Sequence, residues 1–311
     1  MTRPGQGRRP RPGWFGALAA VLAVLAVGLL IGAPAGHAVS GVPTAVPAGD
    51  PGGNPFQKGP DPTEAGIESG QGPFQIATVS VPPGAGFGGG IIFYPTDTSQ
   101  GSYAGIAISP GIMGTDATIG WYGPLLAAQG FVVFTISTLS VYDPPSTRGD
   151  ELRSALDYLT GSSPVRAEVD PNRLGVMGHS LGGGGAVEAE ANDPTLKAAI
   201  PLSEWDITAD LSNVRTPTMF IGAQFDVTAP DLIYSLQAYQ QLPEMLDKQY
   251  LELAGGNHGT ALTPTPTIAK YAISWMKRFL DNDTRYDQFL CPIVEPADDP
   301  TLSAHQGTCP N

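Results

Sequence analysis

The chain has 311 residues, of which 41% are hydrophobic and 14% are charged, a composition typical of a folded protein with a sizeable core and not of a disordered chain. Acidic residues outnumber basic ones by 29 to 16, so the net charge is −13, and we expect no nucleic acid and no anionic membrane as a stable partner. The length alone allows one large α/β domain or two small ones.

The first 38 residues have the pattern of an export signal. Four arginines between positions 3 and 11 precede an apolar run over 17–31, and Ala-Gly-His-Ala ends at Ala38. The run is shorter than the roughly 20 residues of a spanning helix, which argues against a membrane anchor. We predict cleavage after Ala38 and secretion. Losing four of the 16 basic residues leaves 12 against 29 acidic ones, a net charge of −17.

Residues 39–53 are rich in proline and glycine and predict a flexible linker, so one catalytic domain is expected over 54–311. In that domain short apolar runs alternate with longer amphipathic stretches. The predicted strands are Ile76–Val81, Gly90–Tyr94, Ala104–Ser109, Phe131–Ser137, Arg173–Gly178, Ala198–Leu202, Thr218–Gly222 and Gln249–Leu253. The predicted helices are Trp121–Gln129, Arg148–Thr160, Leu181–Ala191, Asp231–Gln241 and Thr267–Leu280. This order predicts an α/β fold with a mostly parallel sheet covered on both faces and an antiparallel edge formed by the first strands.

The segment Gly178-His179-Ser180-Leu181-Gly182 follows a predicted strand and precedes a predicted helix. This G-x-S-x-G pattern in a strand–turn–helix context is typical of the nucleophile elbow of serine hydrolases. The serine sits in a strained turn, and glycine on either side removes side chains that would collide with the neighbouring backbone. We therefore predict Ser180 as the nucleophile.

A serine hydroxyl needs a base, normally histidine, and the chain has four histidines. His37 leaves with the signal, His179 is a neighbour of the nucleophile, and His305 lies between the two cysteines. His258, in the loop after a predicted strand, remains as the candidate base.

The acid that orients the base should lie between Ser180 and His258 in the chain, because hydrolases with this nucleophile elbow have the chain order serine, acid, histidine. Asp226 follows the predicted strand Thr218–Gly222 and is favoured over Asp206 and Asp231, the second of which falls in a predicted helix. The backbone N–H groups of Leu181 and Ile112 are the expected oxyanion donors. No metal-binding or cofactor motif accompanies them, so we expect neither a metal nor a cofactor.

The two cysteines, Cys291 and Cys309, are 18 positions apart near the C-terminus. In an exported protein a disulfide between them is favoured. Metal ligation by the two thiols with His305 is the alternative, although the spacing lacks the paired C-x-x-C of a structural zinc site.

An ordered series of motifs resembles the actinobacterial polyester hydrolases, the cutinase-like and PET-degrading esterases, over nearly all of the mature chain. The motifs are Asn54-Pro-Phe, Gly59-Pro-Asp-Pro-Thr, Gly130-Phe-Val-Val, Gly175-Val-Met-Gly-His-Ser-Leu-Gly-Gly-Gly-Gly, Lys197-Ala-Ala, Trp205-Asp, Asp226 with Ala229-Pro, Tyr250-Leu-Glu-Leu, Asn257-His, and Arg285-Tyr with Gln288-Phe-Leu-Cys-Pro.

The resemblance implies the α/β-hydrolase fold, a triad of Ser180, Asp226 and His258, and a disulfide between Cys291 and Cys309. It also implies substrate contacts from Trp205, His179 and Thr228. Family members commonly carry an aromatic residue where Ile112 stands, so the aromatic clamp around a terephthalate ring is expected to be incomplete here.

About 14 residues, from Ser203 to Thr216, join two predicted strands where lipases of this fold insert a lid, so we expect an open site without a lid domain. The predicted function is hydrolysis of carboxylic esters by a monomeric secreted enzyme, with polyesters or cutin-like substrates first and PET among the candidates. The alternatives are a short-chain triacylglycerol lipase or general esterase, and a catalytically silent binding protein with the hydrolase fold.

Overall fold

The structure is a computed structural model and describes residues 53–310. The predicted signal peptide over 1–38, and the predicted linker up to residue 52, lie outside the described residues. Between residues 53 and 310, no helix has the length and apolar character needed to cross a membrane.

One mixed sheet forms the centre of the described part of the chain. Its strands are β1 Ile76–Val81, β2 Gly90–Pro95, β3 Tyr103–Ser109, β4 Phe131–Ile136, β5 Val169–His179, β6 Ala198–Leu202, β7 Thr218–Ala223, β8 Lys248–Leu253 and β9 Leu302–Gly307. They lie in the order β1-β2-β4-β3-β5-β6-β7-β8-β9. Strands β3 to β8 are parallel, whereas β1, β2 and β9 pair antiparallel at the two edges. The predicted parallel sheet and its antiparallel first strands are therefore confirmed.

Helices cover both faces of this sheet. They are α1 Glu64–Glu68, α2 Tyr122–Ala127, α3 Pro145–Gly161, α4 Leu181–Asn192, α5 Ser235–Gln241, α6 Pro266–Leu280 and α7 Asp287–Leu290. Because side chains alternate along a strand, Ile106 of β3 packs with α2 and α6, while Ala107 packs with α3 and α4 on the other face. This is the α/β-hydrolase architecture that the sequence predicts.

Five elements differ clearly from the prediction. Helices α1 and α7 and strand β9 were not expected, and β5 begins at Val169 rather than Arg173 because its first residue pairs with Tyr103 of β3. Helix α5 begins only at Ser235, so the prediction that a helix starts at Asp231 is wrong. The residues from 231 to 234 form a turn after Pro230, whose carbonyl accepts from Ile233 N and Tyr234 N.

The C-terminal segment is tied to the sheet by a disulfide. Cys291 and Cys309 are bonded, with their Cα atoms 5.6 Å apart, within the usual range for a disulfide. Strand β9 lies between these two cysteines and pairs with β8. The bridge therefore closes a segment that includes the last strand of the sheet.

The connection from β6 to β7, residues 203–217, contains no helix. Lipases of this fold carry lid helices at that point, so the carboxyl ends of the central strands remain open to solvent here.

Candidate active site

Ser180 occupies a strained turn between β5 and α4. Its backbone has φ 57° and ψ −123°, a left-handed conformation that is rare for a residue other than glycine. A Cβ atom at Gly178 would lie 2.0 Å from the carbonyl oxygen of Gly182, and one at Gly182 would lie 2.3 Å from the oxygen of Pro110. Both flanking glycines are therefore required by space, as the elbow pattern predicts.

His258 lies within hydrogen-bond distance of Ser180 and of Asp226. Its Nε2 is 2.9 Å from Ser180 Oγ, and its Nδ1 is 2.7 Å from Asp226 Oδ2. With Asp226 ionised, Nδ1–H donates to the carboxylate, which leaves Nε2 as the acceptor for the serine hydroxyl proton. The structure thus brings together the three side chains that sequence reasoning selected.

The Asp226 carboxylate is buried, and its charge is stabilised by several donors. Its Oδ1 accepts from the backbone N–H groups of Thr228 at 2.9 Å and Ala229 at 2.8 Å. Burial alone would raise the pKa of Asp226, but the hydrogen bonds from His258 and from these two N–H groups outweigh it and lower the pKa below its usual value. The acid is therefore ionised at neutral pH.

The two rival acids have other partners. Asp206 accepts from Thr208 N at 2.7 Å, and Asp231 Oδ2 accepts from the Tyr250 hydroxyl at 2.9 Å. Burial raises the pKa of Asp231 to about 7. Neither carboxylate contacts His258 through a hydrogen bond in the described part of the chain, so only Asp226 is placed to orient the base.

The predicted oxyanion donors, Ile112 and Leu181, lie in segments that adjoin Ser180. A Cβ atom at Gly111 would lie 2.9 Å from Ser180 Cβ, so the loop that contains Ile112 touches the nucleophile. Leu181 is the first residue of α4, and the first N–H groups of a helix have no partner within it. We call residues 110–113, which include one of the predicted oxyanion donors, the oxyanion loop.

His179 is buried, with 4% of its surface exposed, and its Nε2 lies 2.7 Å from the backbone oxygen of His258. Burial lowers the pKa of His179 to about 4, so its ring is neutral at pH 7 and donates to that carbonyl. The ring thereby supports the loop that carries the base, and its predicted contact with substrate stays a prediction.

Trp205 is 40% exposed. It lies close to Ser180 in space, since its backbone N–H donates to the backbone carbonyl of Ser180 at 3.1 Å. Its ring stacks on Tyr234, with centroids 5.7 Å apart and an angle of 24° between the planes. Sequence reasoning did not select Tyr234, which was expected inside a helix. Thr228 is exposed next to Asp226.

Exposed apolar side chains lie on the loops that follow β3, β4, β6 and β7, at the end of the sheet that also carries the three triad residues. We call this set the apolar ring: Ile112, Met113, Leu139, Tyr142, Trp205, Ile207, Phe225, Val227, Leu232 and Ile233. Their exposed fractions run from 40% for Trp205 to 89% for Val227. Exposed apolar side chains gathered at one end of a sheet are typical of a binding site. Sequence reasoning selected only Ile112 and Trp205 from this set. The other members could have been noticed only as apolar residues that lie between the predicted strands rather than within them.

Residues 53–310 hold no group of three or more His, Cys, Asp or Glu side chains placed to bind a metal ion.

The chain is similar to known ester hydrolases. A family model described as PET hydrolase-like matches residues 51–310. Bis(hydroxyethyl) terephthalate hydrolase of Streptomyces coelicolor is 46% identical over 310 residues, which cover 99% of this chain and 96% of that protein. Cutinase 1 of Thermobifida cellulosilytica is 44% identical over 261 residues, covering 83% of this chain and 99% of that protein. A cutinase of Thermobifida fusca is 44% identical over 261 residues, covering 83% of this chain and 86% of that protein.

Proposed function

Because the chain belongs to the PET hydrolase-like family of α/β-hydrolases and is a carboxylic ester hydrolase, we propose that it cleaves polyesters through an acyl-enzyme on Ser180. The observation that carries this proposal is the hydrogen-bonded series from Ser180 Oγ to His258 Nε2 at 2.9 Å and from His258 Nδ1 to Asp226 at 2.7 Å. A serine, a base and an orienting acid in that relation can activate a hydroxyl for attack on an ester.

In the proposed reaction, His258 Nε2 takes the proton as Ser180 Oγ adds to the ester carbonyl carbon. The resulting oxyanion is stabilised by the N–H groups of Ile112 and Leu181, and Asp226 stabilises the imidazolium. His258 then protonates the leaving alcohol. Water, activated by the same histidine, hydrolyses the acyl-enzyme, releases the acid and restores Ser180.

The apolar ring supports a substrate that is presented as a surface. It lies at the end of the sheet that carries the triad, and the connection from β6 to β7 carries no lid helix that would have to open first. The relatives are named for bis(hydroxyethyl) terephthalate and for cutin, both neutral esters. We therefore propose cutin-like and aliphatic polyesters as the preferred substrates, with Trp205 and Thr228 as substrate contacts.

An aromatic polyester is proposed as the poorer substrate. Ring stacking against an aromatic side chain contributes about 0.5–1.5 kcal/mol, and the proposal assigns this stacking to Trp205, with no aromatic side chain at position 112. Short-chain triglycerides fit the same open site, so a general esterase or lipase is the alternative. A silent binding protein is disfavoured by the intact series of hydrogen bonds.

The triad assignment is tested by variants of its members and of a rival acid. Ser180→Ala, His258→Ala and Asp226→Asn should each lower p-nitrophenyl butyrate turnover on the order of 10³-fold or more, because the three act as a unit. Asp206→Asn is the matched control for a buried carboxylate and should keep turnover near wild type. Labelling of the wild type, but not of Ser180→Ala, by a fluorophosphonate would exclude the silent binding protein. Near-normal turnover in His258→Ala would overturn the assignment.

We also propose that the enzyme is exported and cleaved after Ala38. Mass spectrometry of the N-terminus of protein recovered from the culture medium of a bacterial host tests this step. A full-length N-terminus on cell-associated protein would contradict it.

A further inference from the structure

Arg148, in the first turn of α3, is fully buried, and its guanidinium group binds backbone carbonyls. Its Nε donates to the oxygen of Asp143 at 2.7 Å, Nη1 to that of Pro110 at 2.8 Å, and Nη2 to that of Val141 at 3.0 Å. A buried charge is costly unless it is fully hydrogen-bonded, so these contacts explain how the group is tolerated. One planar group thus ties α3 to two separate loops.

These contacts hold the oxyanion loop on both sides of Ile112. Pro110, two residues before it, accepts directly from Arg148. Met113, the residue after it, donates its N–H to Val141 O at 2.9 Å, and the same carbonyl accepts from Arg148. Met113 has φ 58°, a strained conformation for methionine that persists only where neighbours enforce it.

Two glycines, one in α3 and one in α4, allow the two helices to pack closely where Arg148 reaches this loop. A Cβ atom at Gly185 would lie 2.7 Å from Arg148 Cβ, and one at Gly149 would lie 2.9 Å from Glu188 Cβ. Helices α3 and α4 are therefore in close contact at this point, and the guanidinium group lies within hydrogen-bond distance of Pro110 O.

We propose that Arg148 is a positioning residue that fixes the Ile112 N–H of the oxyanion hole. The proposal rests on the proposed function, since it concerns the same oxyanion. Leu181 N–H is fixed separately by α4, so Arg148 controls one of the two donors. Removing a whole oxyanion donor lowers kcat by about 10²–10³-fold, and this range is the upper limit of the expected effect.

The test compares an ester with the matching thionoester, whose sulfur is a poor hydrogen-bond acceptor. In the wild type the oxyanion donors favour the ester. Arg148→Met should lower kcat for the ester by at least about ten-fold with little change in KM, and should lower thionoester turnover much less. The ratio of ester to thionoester turnover therefore falls. Arg148→Lys should give an intermediate ratio, because an ammonium group cannot reproduce the planar fork.

Arg173→Met is the matched control. Arg173 is also buried, and it binds the Ser102 carbonyl and Asp281 at the opposite end of the strands. Its loss should lower the melting temperature and leave the turnover ratio unchanged.

An equal loss of ester and thionoester turnover in Arg148→Met would overturn the proposal. If Arg148→Met does not fold, an unchanged ratio in Arg148→Lys would overturn it. Either failure is distinct from failure of the proposed function, because these ratios are measured on active enzyme and the triad is tested by the variants of Ser180 and His258.

Discussion

Glu190 should make the free energy of unfolding depend strongly on pH. Its side chain, on α4, is 1% exposed, and burial raises its pKa to about 8. The contacts fit a protonated carboxyl group. Thr218 Oγ1 lies beside Glu190 Oε2 and 2.8 Å from the Thr216 carbonyl oxygen. The threonine has one hydroxyl proton, so when it donates to the carbonyl a protonated Glu190 can donate to Thr218 Oγ1.

The direction of this pH dependence follows from the number of protons that the folded and unfolded states bind. The unfolded chain releases the Glu190 proton near pH 4.5, whereas the folded chain keeps it up to about pH 8. The stabilisation is therefore complete below pH 4.5 and is lost as pH rises towards 8. One such group changes the free energy of unfolding by up to about 1.4 kcal/mol per pH unit, or about 4 kcal/mol between pH 5 and pH 8. That is a large part of the total for a typical domain.

Glu190→Gln removes the titration and keeps a donor for Thr218 Oγ1. Chemical denaturation followed by tryptophan fluorescence should show that the variant, relative to wild type, becomes more stable as pH rises from 5 to 8. Other buried carboxyl groups are present in both proteins and cancel in this difference. Glu244→Gln, at an exposed position, should show no such trend. A difference between Glu190→Gln and wild type that does not vary with pH would refute the reasoning.

Reduction of the bridge between Cys291 and Cys309 should lower the melting temperature, since closing a loop of this length stabilises by about 3 kcal/mol, while esterase activity at 25 °C persists. An unchanged melting temperature in a calorimetric scan with reductant would contradict this. Trp205→Ala should lower acid release from an aromatic polyester film more than turnover of p-nitrophenyl butyrate, and Ile112→Tyr should raise that release; equal losses on every substrate with no gain would sink the idea. Leu232→Ser should weaken adsorption to an aliphatic polyester film and leave turnover of the soluble ester unchanged, as measured by depletion from solution.

Much of the fold could be predicted because buried parallel strands are continuous apolar runs. Strand β6, which is buried along its whole length, has the predicted bounds. Strand β9 could not be found this way, because Leu302–Gly307 is largely polar and is held at the sheet edge by β8 and by the disulfide. Helix α5 was extended too far because Leu232 and Ile233 continue an apolar pattern, although both are exposed.

The candidate triad could be predicted because few histidines were available and the chain order of this fold is fixed. Arg148 could not be predicted, since nothing in its local sequence distinguishes a buried arginine from the partly exposed Arg153 of the same helix. Its position depends on the close packing of α3 against Gly185, a long-range contact. Most of the apolar ring was missed for a related reason. The sequence does not show whether an apolar residue in a loop is buried by other parts of the chain or exposed to solvent.

The glycine run of α4 has a consequence for the order of folding. Residues Gly182 to Gly185 are consecutive, and each glycine in a helix interior is about 1 kcal/mol less favourable than alanine. Cβ atoms at Gly183 and Gly184 would lie 2.9 Å from Glu204 Cα and 2.8 Å from Trp205 O, so the run is imposed by its neighbours. A helix this weak gains its order from docking rather than from its own sequence. The strained turn at Ser180, which leads directly into α4, therefore depends on the docking of this helix, and the serine is held in position only when the native packing is complete.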